Sequence, residues 1–354
     1  MTIDELLGSL SEWVRADGPN NKIVMTSRVR LARNLRGEKF PDWAGEADRR
    51  RVFDQVAPWL AQEAGIDQAR IVAVADLDEA TRALLRERHL ISRDLMERGP
   101  GAGLVASGDE RVAVMINEED HLRVQVIEPG MDLRRAWAVA DALDTRLESR
   151  FEYAFSRKLG YLTACPSNVG TGLRASVMVH LLGLRLTEEL DAVLRALERL
   201  RLTVRGVGGE GSEAAGHMFQ ISNQETLGED ESSLIDDLLD LVGAVVHQER
   251  NARLRLRRDN PETLVDCVAR ALAIIQSARI METEEALDYL SALRLGVEMN
   301  LVRRLTVAEV DRLALGIQPG HLQRSQGETL EPPRRDVVRA QVMRDTLARA
   351  ALRE

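Results

Sequence analysis

Lysine is nearly missing from this 354-residue chain: Lys22, Lys39 and Lys158 are the only three, against 45 arginines. A phosphate loop of the GxxxxGK[ST] kind is thereby excluded, because no lysine follows a suitable glycine run. Cysteine is almost as scarce. Cys165 and Cys267 cannot build a disulfide framework or a zinc site, which points to a reducing, cytoplasmic setting. Aromatic residues make up 3%, so the core must rest on Leu, Val, Ala and Ile. No apolar run approaches the ~20 residues of a membrane span, and the acidic, amphipathic start MTIDELLGSLSEWV is unlike a secretory signal. Positive charge is not in excess either: 57 acids against 48 bases give a net charge of −9, with no basic block for a nucleic-acid backbone. What remains, at 44% hydrophobic and 30% charged, is the composition of a folded protein long enough for two domains. The arginine excess is what codon composition alone could produce, so function must be sought in where particular arginines fall.

The first 258 residues mix short strands with helices. Residues 22–33 alternate as a strand, with Ile23, Met25 and Ser27 on one side and Val24, Thr26 and Arg28 on the other. Residues 46–63, 78–90 and 131–150 read as helices. Val112–Ile116 and HLRVQVIEPG, separated by the NEED segment, read as an antiparallel hairpin. Residues 173–181 and 187–200 are expected to be helical, 202–207 and 217–223 to be strands around a glycine-rich loop, and 231–256 a closing helix. Arg258-Asp259-Asn260-Pro261 joins an N-cap to a helix-starting proline. Beyond it, 261–278, 283–297, 306–315 and 333–352 read as helices, with 318–333 as a loop. The expected fold class is α+β: an antiparallel-sheet domain flanked by helices over 1–258, then a small all-helical domain over 259–354.

Four segments of the first domain carry candidate chemistry. In SRVRLARN, Arg28 and Arg30 share a strand face about 6–7 Å apart; like charges so placed favour an anion, although arginine on an edge strand also deters aggregation. Asn117-Glu118-Glu119-Asp120-His121-Leu122-Arg123 sets three acids beside a cation. A solvated turn is the commoner meaning, and carboxylates able to hold a cation or take a proton are the alternative. CPSNVGTGLRAS, from Cys165 to Ser176, has small residues that could present backbone N–H groups to an anion at a helix start. In Arg205–Gly216 five glycines surround Glu210 and Glu213, as in a plain surface loop or in a lid over substrate. Together, Arg28, Arg30, Arg123, Arg174 and Arg205 could surround a triphosphate, with Glu119 and Glu213 near its transferred phosphoryl group. Two carboxylates there suit a guanidinium acceptor, which each can hold through paired hydrogen bonds.

These segments, in this order, resemble the phosphagen (guanidino) kinase family over about residues 22–258: SRVRLARN, NEEDHLR, CPSNVGTGLRAS, RGVGGEGSE and ISNQ. The resemblance implies ATP, carried with Mg2+ and without a metal site of the protein's own. It implies nucleotide contacts from Ser27, Arg28, Val29, Arg30 and Leu31, from His89 and Arg123, from Arg174, Ala175, Ser176, Val177 and Met178, and from Arg205, Gly206, Val207, Gly208, Gly209 and Glu210. Glu119 and Glu213 would be the catalytic carboxylates, and Cys165 would lie on the acceptor side. Gly208 stands where the family often has another phosphate-binding arginine.

Only about 20 residues precede SRVR, where the metabolite kinases carry a helical domain, and a helical domain follows instead. This is similar to the bacterial protein-arginine kinase branch (McsB type). So is Arg335-Asp336-Val337-Val338-Arg339-Ala340, which matches an RDxxRA element implied to bind phosphoarginine, with Arg335 and Arg339 one helical turn apart. The same stretch alone could be an ordinary charged helix face. The expectation is a cytoplasmic ATP:protein-arginine phosphotransferase acting on protein arginines, its own included. The resemblance implies a stress role, with a stress-gene repressor and a Clp-type protease as partners, and a homodimer or larger assembly. Neither nucleic acid nor membrane is expected as a direct partner. The rivals are a kinase for free arginine or another guanidino metabolite, and a phosphoarginine-binding adaptor with a vestigial kinase site.

Overall fold

Strict apolar alternation builds the centre of the molecule. The computed structural model describes residues 11–206 and 214–353. Its strands in chain order are β1 (Val24–Arg33), β2 (Arg70–Ala73), β3 (Gly103–Ala106), β4 (Val112–Ile116), β5 (Leu122–Pro129), the small hairpin β6 (Phe155–Ser156) and β7 (Gly160–Tyr161), then β8 (Leu173–His180), β9 (Leu202–Gly206) and β10 (Met218–Asn223). Eight of them form one antiparallel sheet in the order β2-β3-β4-β5-β1-β8-β10-β9. Val29, Leu31, Val124, Val126, Leu173, Ala175, Val177, Phe219 and Ile221 line one face and are shut off from solvent. That face packs on α1 (Glu46–Gln62), α4 (Leu133–Arg150), α6 (Leu190–Arg199) and α7 (Glu231–Asp259) in one continuous core. At the β3–β4 end the second face is also covered, by α2 (Glu79–Glu87) and α3 (Arg93–Glu97), through Leu85, Leu95, Leu104 and Met115. Burying full strands on such a core is the largest stabilising contribution, at about 25 cal/mol per Å2 of apolar surface.

The helical region opens where expected, with Asn260 as N-cap and Pro261 starting α8 (Pro261–Ser277). It continues through α9 (Thr283–Glu298), α10 (Val307–Gly316), α11 (Pro319–Gln326) and α12 (Pro332–Leu347). Val268, Leu272, Ile275, Leu290, Leu293, Val310, Met343 and Leu347 form its own core, which also takes in Leu182 from the short α5 (Leu182–Leu186). A buried ionic knot ties it to the start of β1. Arg294 reaches Asp311 at 2.9 Å, Glu298, and the carbonyls of Lys22 (2.9 Å) and Asn21 (2.8 Å), while Arg253 bridges Glu249, Glu298 and the His180 carbonyl.

Three elements differ from the sequence reading. Residues 173–180 are a central strand rather than a helix: Leu173, Ala175, Val177 and Val179 are fully buried at period two, which a short apolar run conceals when its other face is also occupied. Part of the expected 318–333 loop is α11. Its proline and glycine are start and stop signals, Pro319 at the first turn and Gly327 in a left-handed conformation at φ 71°. The last helix ends at Leu347, after which β12 (Ala351–Leu352) pairs with β11 (Val302–Arg303).

Candidate active site

Register places the arginines. In an antiparallel pair, partners share a face. Arg30 is paired with Arg174, Arg28 with Ser176, Ala32 with Arg123, and Arg205 with Gln220. Because Arg28, Arg30 and Ala32 lie two apart on β1, all five arginines project from one face, opposite the core. Cationic partners directly across strands are destabilising by themselves. Burial and the neighbouring Arg123 and Arg174 charges pull the Arg28 guanidinium from 12.5 down to about 10. Burial and the Arg28, Arg123 and Arg174 charges push Arg30 well below 12.5. Burial, Arg205 and Arg123 lower Arg174 as well. Neutralising contacts are few. Arg28 donates to Gln220 and weakly to Ser176 at 3.4 Å, Arg174 to Ser222 at 3.4 Å, and Arg123 pairs with Glu118. The Nε atoms of Arg30 and Arg174 are buried without a partner among the described residues. A concentrated positive field with unused donors is a site for a polyanion.

The acidic turn is held rigidly above this face. Asn34, at the end of β1, donates to Asp120 at 2.6 Å and accepts the His121 amide at 2.9 Å, and Asp120 also takes the Ala164 amide at 2.7 Å. His121 accepts the Leu35 amide at Nδ1 and contacts the Lys39 carbonyl at Nε2. Asp120 and His121 are therefore struts, and Glu119 just before them is left with no bonded partner among the described residues. Burial, then Asp120 and Glu118, raise the Glu119 carboxyl above its ordinary 4.5. Glu119, Arg30, Arg123, Arg174, Arg205 and Cys165 line one cavity of about 320 Å3. The Cys165 thiol lies 3.0 Å from the Ser167 hydroxyl.

The CPSNVGTG segment leads into β8 and not into a helix N-terminus, and several of its amides are occupied. Gly170 N–H donates to Tyr161, Thr171 N–H to Thr226, and Leu173 N–H to the Thr171 hydroxyl. Its glycines serve close packing instead. A Cβ at Gly170 would sit 2.1 Å from the Thr226 carbonyl, and one at Gly172 2.7 Å from that of Ala32, both at positive φ. Anion binding here falls to side chains.

A second cavity, of about 500 Å3, opens beside Arg28 and is lined by Trp13, Met25, His89, Met178, Gly216 and Met218 on the sheet side, with Leu287, Ala314 and Leu315 of the helical region opposite. The His89 ring lies 5.3 Å from that of Trp13. Burial and the charges of Arg28 and Arg86 lower His89 from 6.5 to about 4, so it is neutral at physiological pH. An apolar, aromatic slot next to a cationic face has the shape for a base joined to phosphates.

The remaining expected contacts divide. Val29, Leu31, Ala175 and Val177 point into the core, so only their backbones face the strands that carry the arginines. Ser27 is buried, donating to the Gly130 carbonyl at 2.8 Å and accepting the Asp132 amide at 2.9 Å. Gly206 ends β9 on the core side, opposite Phe219. Val207, Gly208, Gly209, Glu210 and Glu213 lie outside the described residues. In the RDxxRA stretch, Arg335 and Arg339 lie one helical turn apart but their guanidinium groups go to different places, Arg335 donating to the Leu330 carbonyl at 3.1 Å. Arg339 is buried, donating to the carbonyls of Ile317 (3.0 Å) and Met281 (2.8 Å) and to Asp336. Val338 and Ala340 are also buried. Arg335 lines a separate cavity of about 410 Å3 with Gln323, Arg324 and Gly327 on one side and Asp78 and Glu79 on the other. Trp13, Met25, Met218 and Gln220 are site residues that the sequence reading does not name. Gln220 and Met218 were within reach, since they alternate with core Phe219 on a strand; Trp13 carried no signal.

Residues 51–252 match the ATP:guanido phosphotransferase C-terminal catalytic domain, and residues 261–354 match the protein-arginine kinase McsB C-terminal domain. The chain is 45% identical to the protein-arginine kinase of Moorella thermoacetica over 343 residues, 96% of this chain and 97% of that one. It is 42% identical to that of Pelotomaculum thermopropionicum over 352 residues, 98% and 99% of the two chains. Among solved structures, a lombricine kinase aligns with TM-score 0.55 and 27% identity over 67% of this chain and 68% of that one. A duplicated taurocyamine kinase from Schistosoma mansoni with bound transition-state analog components aligns with TM-score 0.60 and 25% identity, covering 74% of this chain and 38% of that one. The opposed cationic strands, the poised carboxylate and both domain matches agree: the chain belongs to the protein-arginine kinase family of ATP:guanido phosphotransferases.

Proposed function

We propose that this protein transfers the γ-phosphoryl group of ATP to arginine side chains of proteins. The observation that carries this reading is the convergence of Arg28, Arg30, Arg123, Arg174 and Arg205 on one sheet face, with Glu119 in one cavity with the last four of them. The adenine base would occupy the slot of Trp13, Met25, His89, Met178 and Met218, and the phosphates would cross Arg28 and Arg30 toward Arg174 and Arg123. Guanidinium groups already in place neutralise the charge of the migrating phosphoryl group without reorganising. The Nε donors of Arg30 and Arg174 would gain partners on binding. Magnesium would travel on the triphosphate oxygens, since Glu118 is paired with Arg123 and Asp120 is bonded to Asn34 and Ala164. When bound, the metal supplies charge neutralisation at those oxygens.

The acceptor guanidinium would be gripped by Glu119 from one side and Glu213 from the other, with Cys165 alongside. A nitrogen–phosphorus bond forms as the bond from the γ-phosphorus to the bridging oxygen breaks. ADP leaves with that electron pair, and the proton of the attacking nitrogen passes to a carboxylate. The raised affinity of Glu119 for a proton suits that role. We further propose a division at residue 258, with the Arg335 cavity taking a phosphoarginine side chain through Arg335. A cytoplasmic setting, self-modification, a dimer or larger assembly, and a repressor and a Clp-type protease as partners belong to the same reading.

The test is incubation with MgATP and either free arginine or an unfolded protein, followed by phosphoarginine mass spectrometry without acid. Phosphoarginine on the protein is expected. Turnover of free arginine alone would make it a metabolite kinase, and binding of phosphoarginine with no transfer would make it an adaptor.

A further inference from the structure

We propose that His321, in the helical region and outside the phosphate-binding face, is a positioning residue for nucleotide binding: it clamps the segment Glu87-Arg88-His89, whose first and last members line the base cavity. The inference rests on the reading of His89 as a nucleotide contact.

Three consecutive residues at the end of α2 each bind a different part of the molecule. The Glu87 carboxylate accepts the backbone N–H of Gly320 at 2.7 Å and of His321 at 3.1 Å, and the His321 Nδ1–H at 2.8 Å. The Arg88 Nε–H donates to His321 Nε2 at 3.3 Å, and its Nη1 donates to Glu110, in the turn between β3 and β4, at 2.6 Å. Ser11 donates to the other Glu110 oxygen. Since arginine can only donate, Nε2 must carry the lone pair and Nδ1 the proton, so both ring nitrogens are satisfied in one neutral tautomer. Both arms are buried, with Arg88 and Glu110 side chains at 4% and 2% exposure and His321 and Glu87 at 10% and 4%. The close fit has a steric signature as well: a Cβ at Gly320 would lie 2.6 Å from the Leu84 amide nitrogen, so α11 rests directly on α2.

His89 follows immediately, in a left-handed conformation at φ 60°. A non-glycine residue holds that conformation at a cost of about 1 kcal/mol or more, and does so here at the helix end where the Leu90 amide returns to the Leu85 carbonyl. The Gln125 Nε2–H fixes its carbonyl at 2.6 Å and the ring rests against Trp13. The two residues before it are held chiefly by His321 and Glu110. Without the imidazole, Glu87 loses a side-chain partner and the Arg88 Nε–H an acceptor. The strained residue then has fewer restraints on its N-terminal side, and the cavity wall loses definition.

The experiment is steady-state kinetics of His321→Ala in the full-length protein, with MgATP and a protein acceptor varied separately. The expected result is a rise in KM for ATP of about fivefold to tenfold, with kcat within about twofold and KM for the acceptor unchanged, the pattern of lost ground-state binding. His321→Gln, whose amide can both donate and accept, should restore most of the affinity. Unchanged KM for ATP in a folded His321→Ala protein overturns the proposal. So does a parallel loss in every kinetic constant that Gln does not rescue, which marks a merely structural residue. If His321→Ala fails to fold, His321→Phe, which keeps the ring's bulk and removes both of its hydrogen bonds, decides by the same criterion. His89→Ala is the control for the underlying reading. If it leaves KM for ATP unchanged, His89 is no nucleotide contact; if it raises KM while His321→Ala does not, only the clamp fails.

Discussion

Replacing Arg30 by Met should make the ligand-free protein more stable while depriving it of nucleotide. Arg30 faces Arg174 directly across the β1–β8 pair and has a buried Nε with no partner among the described residues. Its neighbour Arg28 calibrates the penalty. A guanidinium moved from 12.5 to about 10 is less favourable in its charged form by roughly 3 kcal/mol, at about 1.4 kcal/mol for each tenfold. The sign follows from the direction. A base whose folded value is depressed loses stability as pH falls through that value, so the penalty is fully present at pH 7. Arg30 is shifted the same way, but it keeps some solvent contact, which screens its charge. A gain of about 1–3 kcal/mol is therefore expected for Arg30→Met, in line with other replacements of buried charge by apolar side chains. Methionine keeps the length of the stem and loses the charge. The assay is thermal unfolding with and without MgATP. Without nucleotide the variant should melt a few degrees higher. With nucleotide at a hundredfold its dissociation constant, wild type should gain about 2.7 kcal/mol, and the variant little at that concentration. A variant that is destabilised without nucleotide, yet stabilised by ATP as much as wild type, would refute the reasoning that this face is strained for the sake of an anion.

Glu119→Gln should lower kcat by about a hundredfold or more, as loss of a general base does, with an unchanged melting temperature because the side chain has no bonded partner among the described residues. The raised carboxyl also predicts an acid limb in kcat/KM lying above pH 4.5: activity falls as pH drops and the carboxylate takes up its proton, and that limb should be missing from the residual activity of the variant. Arg294→Ala should cost about 3–5 kcal/mol in denaturant unfolding, because it leaves Asp311 buried without its cation and Glu298 with Arg253 alone. His89, lowered to about 4, should draw stability from the fold as pH falls from 6.5 towards 4, since the unfolded chain takes the proton first. The difference between wild type and His89→Gln, measured by urea unfolding at pH 7 and pH 5, should shrink or reverse at the lower pH.

Much of the fold was legible because its signals are local. Period-two alternation marked β1, β4, β5 and β10, and Asn260-Pro261 marked the start of the helical region. Where two faces of an element are both occupied, the periodicity disappears, and β8 was read as a helix for that reason. Pro319 and Gly327 were read as loop residues because each is ambiguous until a helix is seen between them. The candidate site divides in the same way. The motifs named Arg28, Arg30, Arg123, Arg174, Arg205 and Glu119, and alternation sets Arg33 on the other face of SRVRLARN from Arg28 and Arg30, but not what it binds there. Arg33 is a structural residue, paired with Asp144 at 2.7 Å and stacked 3.5 Å above the Tyr161 ring. Arg335 and Arg339 had the spacing for a shared ligand, yet Arg339 is committed to Asp336 and two carbonyls.

By itself the sequence determined which residue types could act and, Arg174 apart, on which strands they lie, because alternation, caps and motif spacing are properties of neighbours along the chain. With only three lysines, it also made arginine the side chain on which a phosphate site would chiefly draw. Cross-strand register, decided by the tertiary structure alone, set Arg30 against Arg174 and brought four strands' arginines to one face. Packing, likewise, chose which arginines became struts and which stayed unpaired. It also laid α11 on α2, so that a histidine 232 positions along the chain from His89 bonds to the two residues before it. Register and packing depend on partners far apart in sequence, and the free energy of a charged group depends on those partners as much as on the group.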